Sequence, residues 1–463
     1  MTRLLHFSKT LFFLAVVLWL TYGTLMAFIL PAFPIDETRY LTVAWEMRHS
    51  GDWLLPTLNY APYAQKPPLL LWLINASWSI GGLSVTTARF VPVLNVLVCL
   101  FLTRKLAQSV YPDSPSVHAL APLLLVTSPI TLIYGSMIMF DWLMTIWVLS
   151  AFIVLWQIVQ GRSWRLWLLV GLFIGIGILT KGLVAALYIG VPALFMPFAL
   201  KLEKKKLWYG GLLAALGIAV LIGLAWALPA AIIGDANYAH MIFKEQTLGR
   251  IINVFDHKRP PWFYLPFVPL IVLALLPFKA FWRELFVINK QDYNAGKFLG
   301  LTVIVPFIIF SIIGSKQVHY LVPLTPCLMI FLAARLECVA NFTRHFSRVA
   351  TGIVGTFAAA MIVAVIIVFP SYDLRPIAAA IQPYRHCPMA YVHKYSGEIG
   401  FLARLDHPVE IIERSALKNW FAAHPNGIAI VSHKADDPVQ GYTKVSSFPY
   451  QANQEFTVLK ATE

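Results

Sequence analysis

Apolar runs of about 20 residues, the length needed to cross a bilayer as a helix, recur along almost the whole chain and leave few folds open. They cover residues 10–30, 84–103, 117–135, 140–160, 165–180, 182–200, 207–233, 261–281, 298–314, 318–334 and 349–369. A chain that is 59% hydrophobic and only 13% charged, with a mean hydropathy of +0.70, carries too little polar surface for a soluble globule. The fold class expected is therefore an all-α polytopic membrane protein with about eleven spanning helices. Arg3 and Lys9 precede the first run as they would in a signal peptide. No small-residue cleavage site follows, so this run reads as a retained span.

Positive charge orients the spans. Lys201, Lys204, Lys205 and Lys206 crowd one short connection, which marks the cytoplasmic side and puts the N-terminus there. The net charge of +14 is partly this bias. Arg39, Arg48, Lys66, Arg89, Lys181, Lys244, Arg250, Lys258, Arg259 and Lys316 fall on the opposite side, against the rule. Cations kept there despite it point to an anionic ligand at the outer leaflet. Nucleic acid is a poor candidate, because the chain has no basic soluble domain to hold it. Cys99, Cys327, Cys338 and Cys387 show neither disulfide nor metal spacing.

Two outer segments, 31–83 and 234–260, are longer than connectors need to be. The first contains a helical stretch over 38–50, broken by Gly51-Asp52-Trp53, and short helices on the outer membrane surface are expected there. After residue 370 the composition turns mixed. Strand-like runs at 389–392 and 427–432 flank a helix over 415–424 that ends at Pro425-Asn426-Gly427. The organisation expected is a membrane domain over 1–370 followed by a small outer α/β domain over 371–463.

Ionisable groups at a membrane boundary are costly unless they face a cavity. Asp36-Glu37-Thr38-Arg39-Tyr40 follows the first span directly. Asp36 suits a helix cap, with Glu37 favourable in the first turn, and it equally suits catalysis. Lys66-Pro67-Pro68 would aim an ammonium from the start of a helix; snorkelling and phosphate binding both explain it. Asp141 is the only acid between Asp113 and Glu203. Thr180-Lys181-Gly182 reads as a tight turn that adds positive charge. Glu245, Arg250, Asp256, His257, Lys258 and Arg259 gather in the second long segment, and Lys316, His319 and Tyr320 form a third set. Asp256-His257 lacks a Ser or Cys nucleophile, which argues against hydrolysis. Carboxylates and cations converging on one leaflet fit transfer from a phosphorylated lipid. A transporter, the rival from another class, would show mid-span charges and related halves, and no halves repeat here.

Taken in order, Asp36-Glu37-Thr38-Arg39-Tyr40, Gly51-Asp52-Trp53, Lys66-Pro67-Pro68-Leu69, Asp141, Leu179-Thr180-Lys181-Gly182, Trp262-Phe263-Tyr264-Leu265-Pro266 and Tyr320-Leu321-Val322-Pro323 resemble the GT-C glycosyltransferases of the aminoarabinose (lipid A) transferase and dolichyl-phosphate-mannose-protein mannosyltransferase group. The resemblance implies an inverting enzyme of the bacterial inner membrane with a periplasmic active site and periplasmic C-terminal domain, acting as a monomer. It implies an undecaprenyl-phosphate-linked sugar as donor and lipid A or another envelope glycan as acceptor, with protein as the alternative. Carried over residue by residue, Asp36 is the main catalytic carboxylate beside Glu37, and Asp141 positions donor or acceptor. Lys66 holds the donor phosphate, assisted by Arg39, Lys181, Arg259 and Tyr320. The aminoarabinose enzymes usually carry Glu before Lys-Pro-Pro, where this chain has Gln65. A divalent metal held with the help of His257 therefore stays an open expectation.

Overall fold

The computed structural model describes residues 2–243, 259–284, 293–337, 339, 341–451 and 453–462. In chain order it contains α1 (Thr2–Ile29), α2 (Asp36–Ser50), β1 (Thr57–Leu58), β2 (Ala61–Pro62), α3 (Leu69–Gly81), α4 (Val85–Val110), α5 (Pro115–Thr127), α6 (Pro129–Tyr134), α7 (Phe140–Val159), α8 (Leu166–Lys181), α9 (Val184–Ala199) and α10 (Lys205–Ile233). Short helical pieces at Ala236–His240, Pro261–Tyr264, Phe267–Ile271, Leu273–Leu275 and Lys279–Glu284 precede α11 (Tyr293–Ile312), a 3₁₀ segment Val318–Leu324, α12 (Thr325–Leu336) and α13 (Phe342–Ile367). The C-terminal part adds α14 (Arg375–Ile381), β3 (Met389–Val392), α15 (Gly400–Ala403), β4 (Glu410–Ile412), α16 (Leu417–Ala423), β5 (Ile428–Lys434), β6 (Thr443–Tyr450) and β7 (Gln454–Lys460).

Seven helices among the described residues are long and apolar enough to cross a membrane: Ser8–Ile29, Val85–Val110, Phe140–Val159, Lys205–Ile233, Tyr293–Ile312, Val318–Leu336 and Phe342–Ile367. The other four expected spans form shorter helices. Pro129 divides the run at 117–135 into α5 and α6, since proline has no N–H to carry the ladder on. The run at 261–281 breaks into short pieces around Pro266 and Pro269. α8 and α9 are each 16 residues long, separated by Gly182 at φ +77°. One apolar helix, α3, lies inside the segment expected to be an outer connection; it begins directly after Pro67-Pro68.

By internal packing the chain divides into two units. The first comprises residues 1–27, 64–70 and 89–358. Here α8 packs closely on α10, because Gly171 and Gly175 carry no side chain. A Cβ on Gly171 would lie 2.7 Å from the Ala215 carbonyl oxygen, and one on Gly175 2.6 Å from Ile222 Cδ1. Small residues four apart let helix backbones approach in this way. Within the same unit Trp19 Nε1 donates to the Val93 carbonyl at 2.9 Å, and the Tyr22 hydroxyl to that of Leu132 at 2.8 Å, tying α1 to α4 and α6.

The second unit comprises residues 28–63, 71–88 and 359–463, so the first long segment, apart from residues 64–70, packs with the C-terminal domain. Its sheet has the order β4-β3-β5-β7-β6, with β4, β3 and β5 parallel and β5, β7 and β6 antiparallel. Side chains alternate along a strand, and both faces of β3 are covered. Met389 and Tyr391 join Ile377, Ile381, Ile428 and Ile430 in one core, while Ala390 and Val392 join Leu417, Trp420, Phe421 and Val431 in the other. The expected α/β domain is present.

α2 is held within this unit by polar contacts. Its last turn carries Arg48 and His49, which suit the helix C-terminus, and Gly51 at φ +73° ends it. The hairpin β1–β2 turns at Asn59 and Tyr60, both with positive φ (56° and 59°), as a type I′ turn requires. The turn's amide groups point at Glu46, whose carboxylate accepts from Asn59 N–H (2.8 Å), Tyr60 N–H (2.9 Å) and the Thr57 hydroxyl (2.8 Å). Asn59 in turn exchanges two hydrogen bonds with the Val409 backbone. Trp45 Nε1 and the Tyr60 hydroxyl both donate to the Leu405 carbonyl. Thr42 donates to the Gly397 carbonyl and accepts from Phe401 N–H, and the Trp78 and Phe401 rings stack 4.8 Å apart.

Candidate active site

In the first unit, four of the residues singled out by sequence meet. Asp141 lies in the first turn of α7, where the helix dipole favours a carboxylate. Lys181 is the last residue of α8, where the dipole favours a cation. The two pair at 2.6 Å, with side-chain exposures of only 2% and 8%. Charges removed from water to this degree persist only when paired. The Lys181 ammonium also stands 4.9 Å from the Tyr320 ring centroid, and the Tyr188 hydroxyl of α9 donates to the Tyr320 carbonyl at 2.8 Å, fixing that ring's backbone. Trp147 Nε1 donates to the Thr180 hydroxyl at 3.0 Å, which steadies the end of α8. Lys66 enters from the chain before α3, its ammonium 5.9 Å from the ring centroid of Phe140, the neighbour of Asp141.

One buried atom of this cluster has no hydrogen bond among the described residues. Asp141 Oδ1 is taken by Lys181, whereas Oδ2 is buried without a partner. Buried carboxylate oxygens are normally satisfied, so an unsatisfied one marks a place for a donor from outside the protein. The pair also offsets the Lys181 charge, and Lys66 adds a second cation to the group.

Arg259 behaves differently. Its guanidinium lies 5.1 Å from the Phe263 ring centroid, and its carbonyl accepts from the Lys316 ammonium, which also donates to Ile313. Lys316 is 2% exposed and acts here as an internal tie between two backbone segments. His257 lies outside the described residues, as do Glu245, Arg250, Asp256 and Lys258.

In the second unit, Asp36 is exposed at the start of α2, with the Tyr40 hydroxyl 3.5 Å from Oδ1, at the limit of hydrogen bonding. The capping expected of Asp36 falls to Glu37 instead. Glu37 is fully buried, and its Oε2 accepts the Phe33 N–H at 2.9 Å, reaching back over the helix start; Ile35 at the N-cap makes no side-chain bond. Arg39 is half-buried, and its charge acts on the buried Glu398. Burial pushes the Glu398 carboxyl up, partly offset by the Ser396 amide and by Arg39.

Sequence reasoning missed Glu46, Tyr188 and Trp147. Glu46 had a visible signal, an acid four residues after Thr42 in a helix otherwise rich in Tyr, Leu, Val and Trp. Tyr188 and Trp147 had none, since aromatic residues within apolar helices are ordinary packing.

Known proteins place this architecture. A family profile described as dolichyl-phosphate-mannose-protein mannosyltransferase matches residues 65–226. The undecaprenyl phosphate-alpha-4-amino-4-deoxy-L-arabinose arabinosyl transferase of Pectobacterium atrosepticum is 31% identical over 322 residues, covering 67% of this chain and 56% of the relative. That of Enterobacter sp. is 28% identical over 86% of this chain and 71% of the relative. The chain thus spans little more than half the length of the Pectobacterium relative. Among solved structures, ArnT from Cupriavidus metallidurans bound to undecaprenyl phosphate superposes with a TM-score of 0.76 at 17% identity, covering 98% of both chains. An Archaeoglobus fulgidus oligosaccharyltransferase reaches 0.56 at 11% identity, over 92% of this chain and 69% of that one. Fold and apolar helices together define a multi-pass membrane protein with the fold of ArnT. In sequence it is similar to the aminoarabinose transferases and, over residues 65–226, to the mannosyltransferase family.

Proposed function

We propose that this protein transfers a sugar from undecaprenyl phosphate, or a closely related polyprenyl phosphate, to lipid A or another envelope glycan on the periplasmic face of the bacterial inner membrane. The observation that carries this reading is the buried Asp141–Lys181 pair, with Oδ2 open and Lys66 nearby, in a chain whose fold matches an ArnT bound to undecaprenyl phosphate. The N-terminus is cytoplasmic in this reading, which the Lys201 to Lys206 cluster supports. The catalytic membrane domain covers 1–370, with the domain at 371–463 on the periplasmic side.

The reaction is an inverting single displacement. The bond between the anomeric carbon and the donor phosphate oxygen breaks, its electron pair leaves with the lipid phosphate, and an acceptor oxygen attacks from the opposite face. Lys66 stabilises the departing phosphate, with Arg39, Lys181, Arg259 and Tyr320 as supporting groups. Asp141 Oδ2 takes a hydrogen bond from a sugar hydroxyl and so orients donor or acceptor. Where the acceptor is a hydroxyl, the Asp36 carboxylate removes its proton as general base. Where it is a phosphate, no proton is lost, and Asp36 orients the acceptor or faces the positive charge that develops on the sugar. Glu37 supports the helix start that presents Asp36.

The test is mass spectrometry of lipid A, envelope glycans and envelope proteins from cells with and without the gene, complemented by wild type or by Asp36→Asn. A sugar increment on lipid A or a glycan, present with wild type and absent with Asp36→Asn at equal membrane abundance, is the expected result. An increment on protein alone moves the acceptor to the protein-glycosylating branch. Equal modification by Asp36→Asn removes the catalytic assignment.

A further inference from the structure

The C-terminal sheet is wound in two directions from β3, and a polar cavity opens where the directions part. From β3 the chain passes through α15 to β4 on one side, then through α16 to β5 on the other side of β3. The two connections cover opposite faces, since Ala403 of α15 packs with Met389 and Tyr391 while Leu417 and Trp420 of α16 pack with Ala390 and Val392. In open α/β sheets a ligand crevice forms outside the carboxyl ends of the strands at such a reversal. Here a cavity of about 470 Å³ lies at that position, within the range of small-molecule sites (~300–1000 Å³).

The residues leaving those strand ends supply its lining. His393 follows β3 in a left-handed conformation, φ +74°, which a non-glycine residue adopts at a cost of about 1 kcal/mol. Arg414 follows β4, and Ser432 and Lys434 end β5, with Asp436 and Asp437 in the turn beyond. The polar groups are held in place. Arg414 forms a forked pair with Asp437 (Nη1 to Oδ2 2.5 Å, Nη2 to Oδ1 3.2 Å) and also reaches the Pro438 carbonyl. His433 is buried beneath, with one ring nitrogen on the Thr457 hydroxyl and the other on the Lys434 carbonyl.

The chemistry of the lining selects among ligands. Arg414 and Lys434 are balanced by Asp436 and Asp437, so a bare anion meets carboxylates and a polycation meets cations. Donors and acceptors instead share one cavity, with Ser432 and Gln454 supplying uncharged groups of both kinds. A sugar ring suits this arrangement, because each hydroxyl both donates and accepts and carries no charge. We propose that the carboxyl-end crevice of the C-terminal sheet is a carbohydrate-binding site for the neutral, hydroxyl-bearing part of a glycan, built from residues with no role in the transfer step. That its natural occupant is the acceptor glycan rests on the transferase reading; the binding itself does not.

The test is saturation-transfer-difference NMR on the full chain in lipid nanodiscs free of sugar detergents. The probes are N-acetyl-D-glucosamine, D-glucosamine, D-galactose and L-arabinose, with inorganic phosphate and spermine as competitors. At least one sugar is expected to receive saturation. Its apparent affinity should fall at least ten-fold in Arg414→Ala and in Asp436→Ala, the second chosen because its exposed turn position keeps the fold intact, while Asp36→Asn binds as wild type. No transfer to any sugar, equal binding by both variants, or displacement by phosphate alone overturns the proposal. Sugar binding without modification of lipid A, glycan or protein in cells leaves this site standing and removes the transferase reading, and modification without sugar binding removes this site and leaves the transferase reading.

Discussion

Replacing Glu46 by alanine tests how the first long segment is organised. The substitution leaves the Asn59 and Tyr60 amides without their acceptor, together with the Thr57 hydroxyl. A buried donor left unsatisfied costs about 1–3 kcal/mol. The Thr57 hydroxyl can rotate, and the half-buried turn admits some water, so about 2–4 kcal/mol in total is the reasonable expectation. Asn59 and Tyr60 also stay left-handed only while something rewards them, at about 1–2 kcal/mol each. The loss falls on local opening of the β1–β2 hairpin. Amide hydrogen exchange followed by mass spectrometry reads it directly. At ~1.4 kcal/mol per tenfold, the 57–62 segment should exchange roughly 100-fold faster, with little change in α8 or α10. The same assay carries a pH signature. Burial raises the Glu46 carboxyl above its ordinary value of 4.5 despite its three hydrogen bonds. A raised folded-state value means stability fully present below the unfolded value and lost as pH rises through the folded one. Protection of this segment, corrected for intrinsic exchange, should therefore weaken as pH climbs above about 4.5, and Glu46→Ala should abolish that trend. Unchanged exchange in the variant would refute the account of Glu46 as the acceptor that holds the turn.

Lys181→Met should lower the thermal stability of the solubilised chain by about 3–5 kcal/mol, because Asp141 is left buried and unpaired; Lys181→Met combined with Asp141→Asn should recover much of it, as read by a fluorescence melting series. Gly397→Ala places a Cβ 2.8 Å from Leu58 Cδ1 and 3.2 Å from the Arg39 backbone at φ +85°, and should cost about 1–3 kcal/mol, seen as faster limited proteolysis near residues 395–405. Lys66→Ala should weaken binding of undecaprenyl phosphate about ten-fold while leaving the melting temperature within a degree or two. Unaltered lipid affinity would count against its phosphate role.

The membrane character, the C-terminal strands and α2 were legible because each rests on local pattern. Runs of apolar residues, strand-like segments around Met389 and Ile428, and Gly51 as a stop are all readable one window at a time. The candidate cluster was partly legible too, since Asp141, Lys181, Tyr320 and Lys66 stood out as ionisable or polar groups in apolar surroundings. Their pairing was not. Asp141 and Lys181 are 40 positions apart, and nothing local says that the start of α7 meets the end of α8. The same limit explains α3, whose 13 residues are too few to register as a span, and the cap left open at Asp36, which Glu37 one residue on has the reach to supply to Phe33.

By itself, then, the sequence determined a multi-pass membrane chain with charged groups gathered at helix ends and a small α/β domain behind it, because hydrophobic length and periodicity are properties of neighbouring residues. Tertiary structure alone decided that Asp141 would be neutralised by Lys181 yet keep one oxygen open, that Glu46 would hold a turn rather than face solvent, and that His393, Arg414 and Asp437 would ring one cavity. Burial, pairing and the meeting of distant strand ends depend on how the chain folds back on itself, and those are the quantities that set what a charged side chain does.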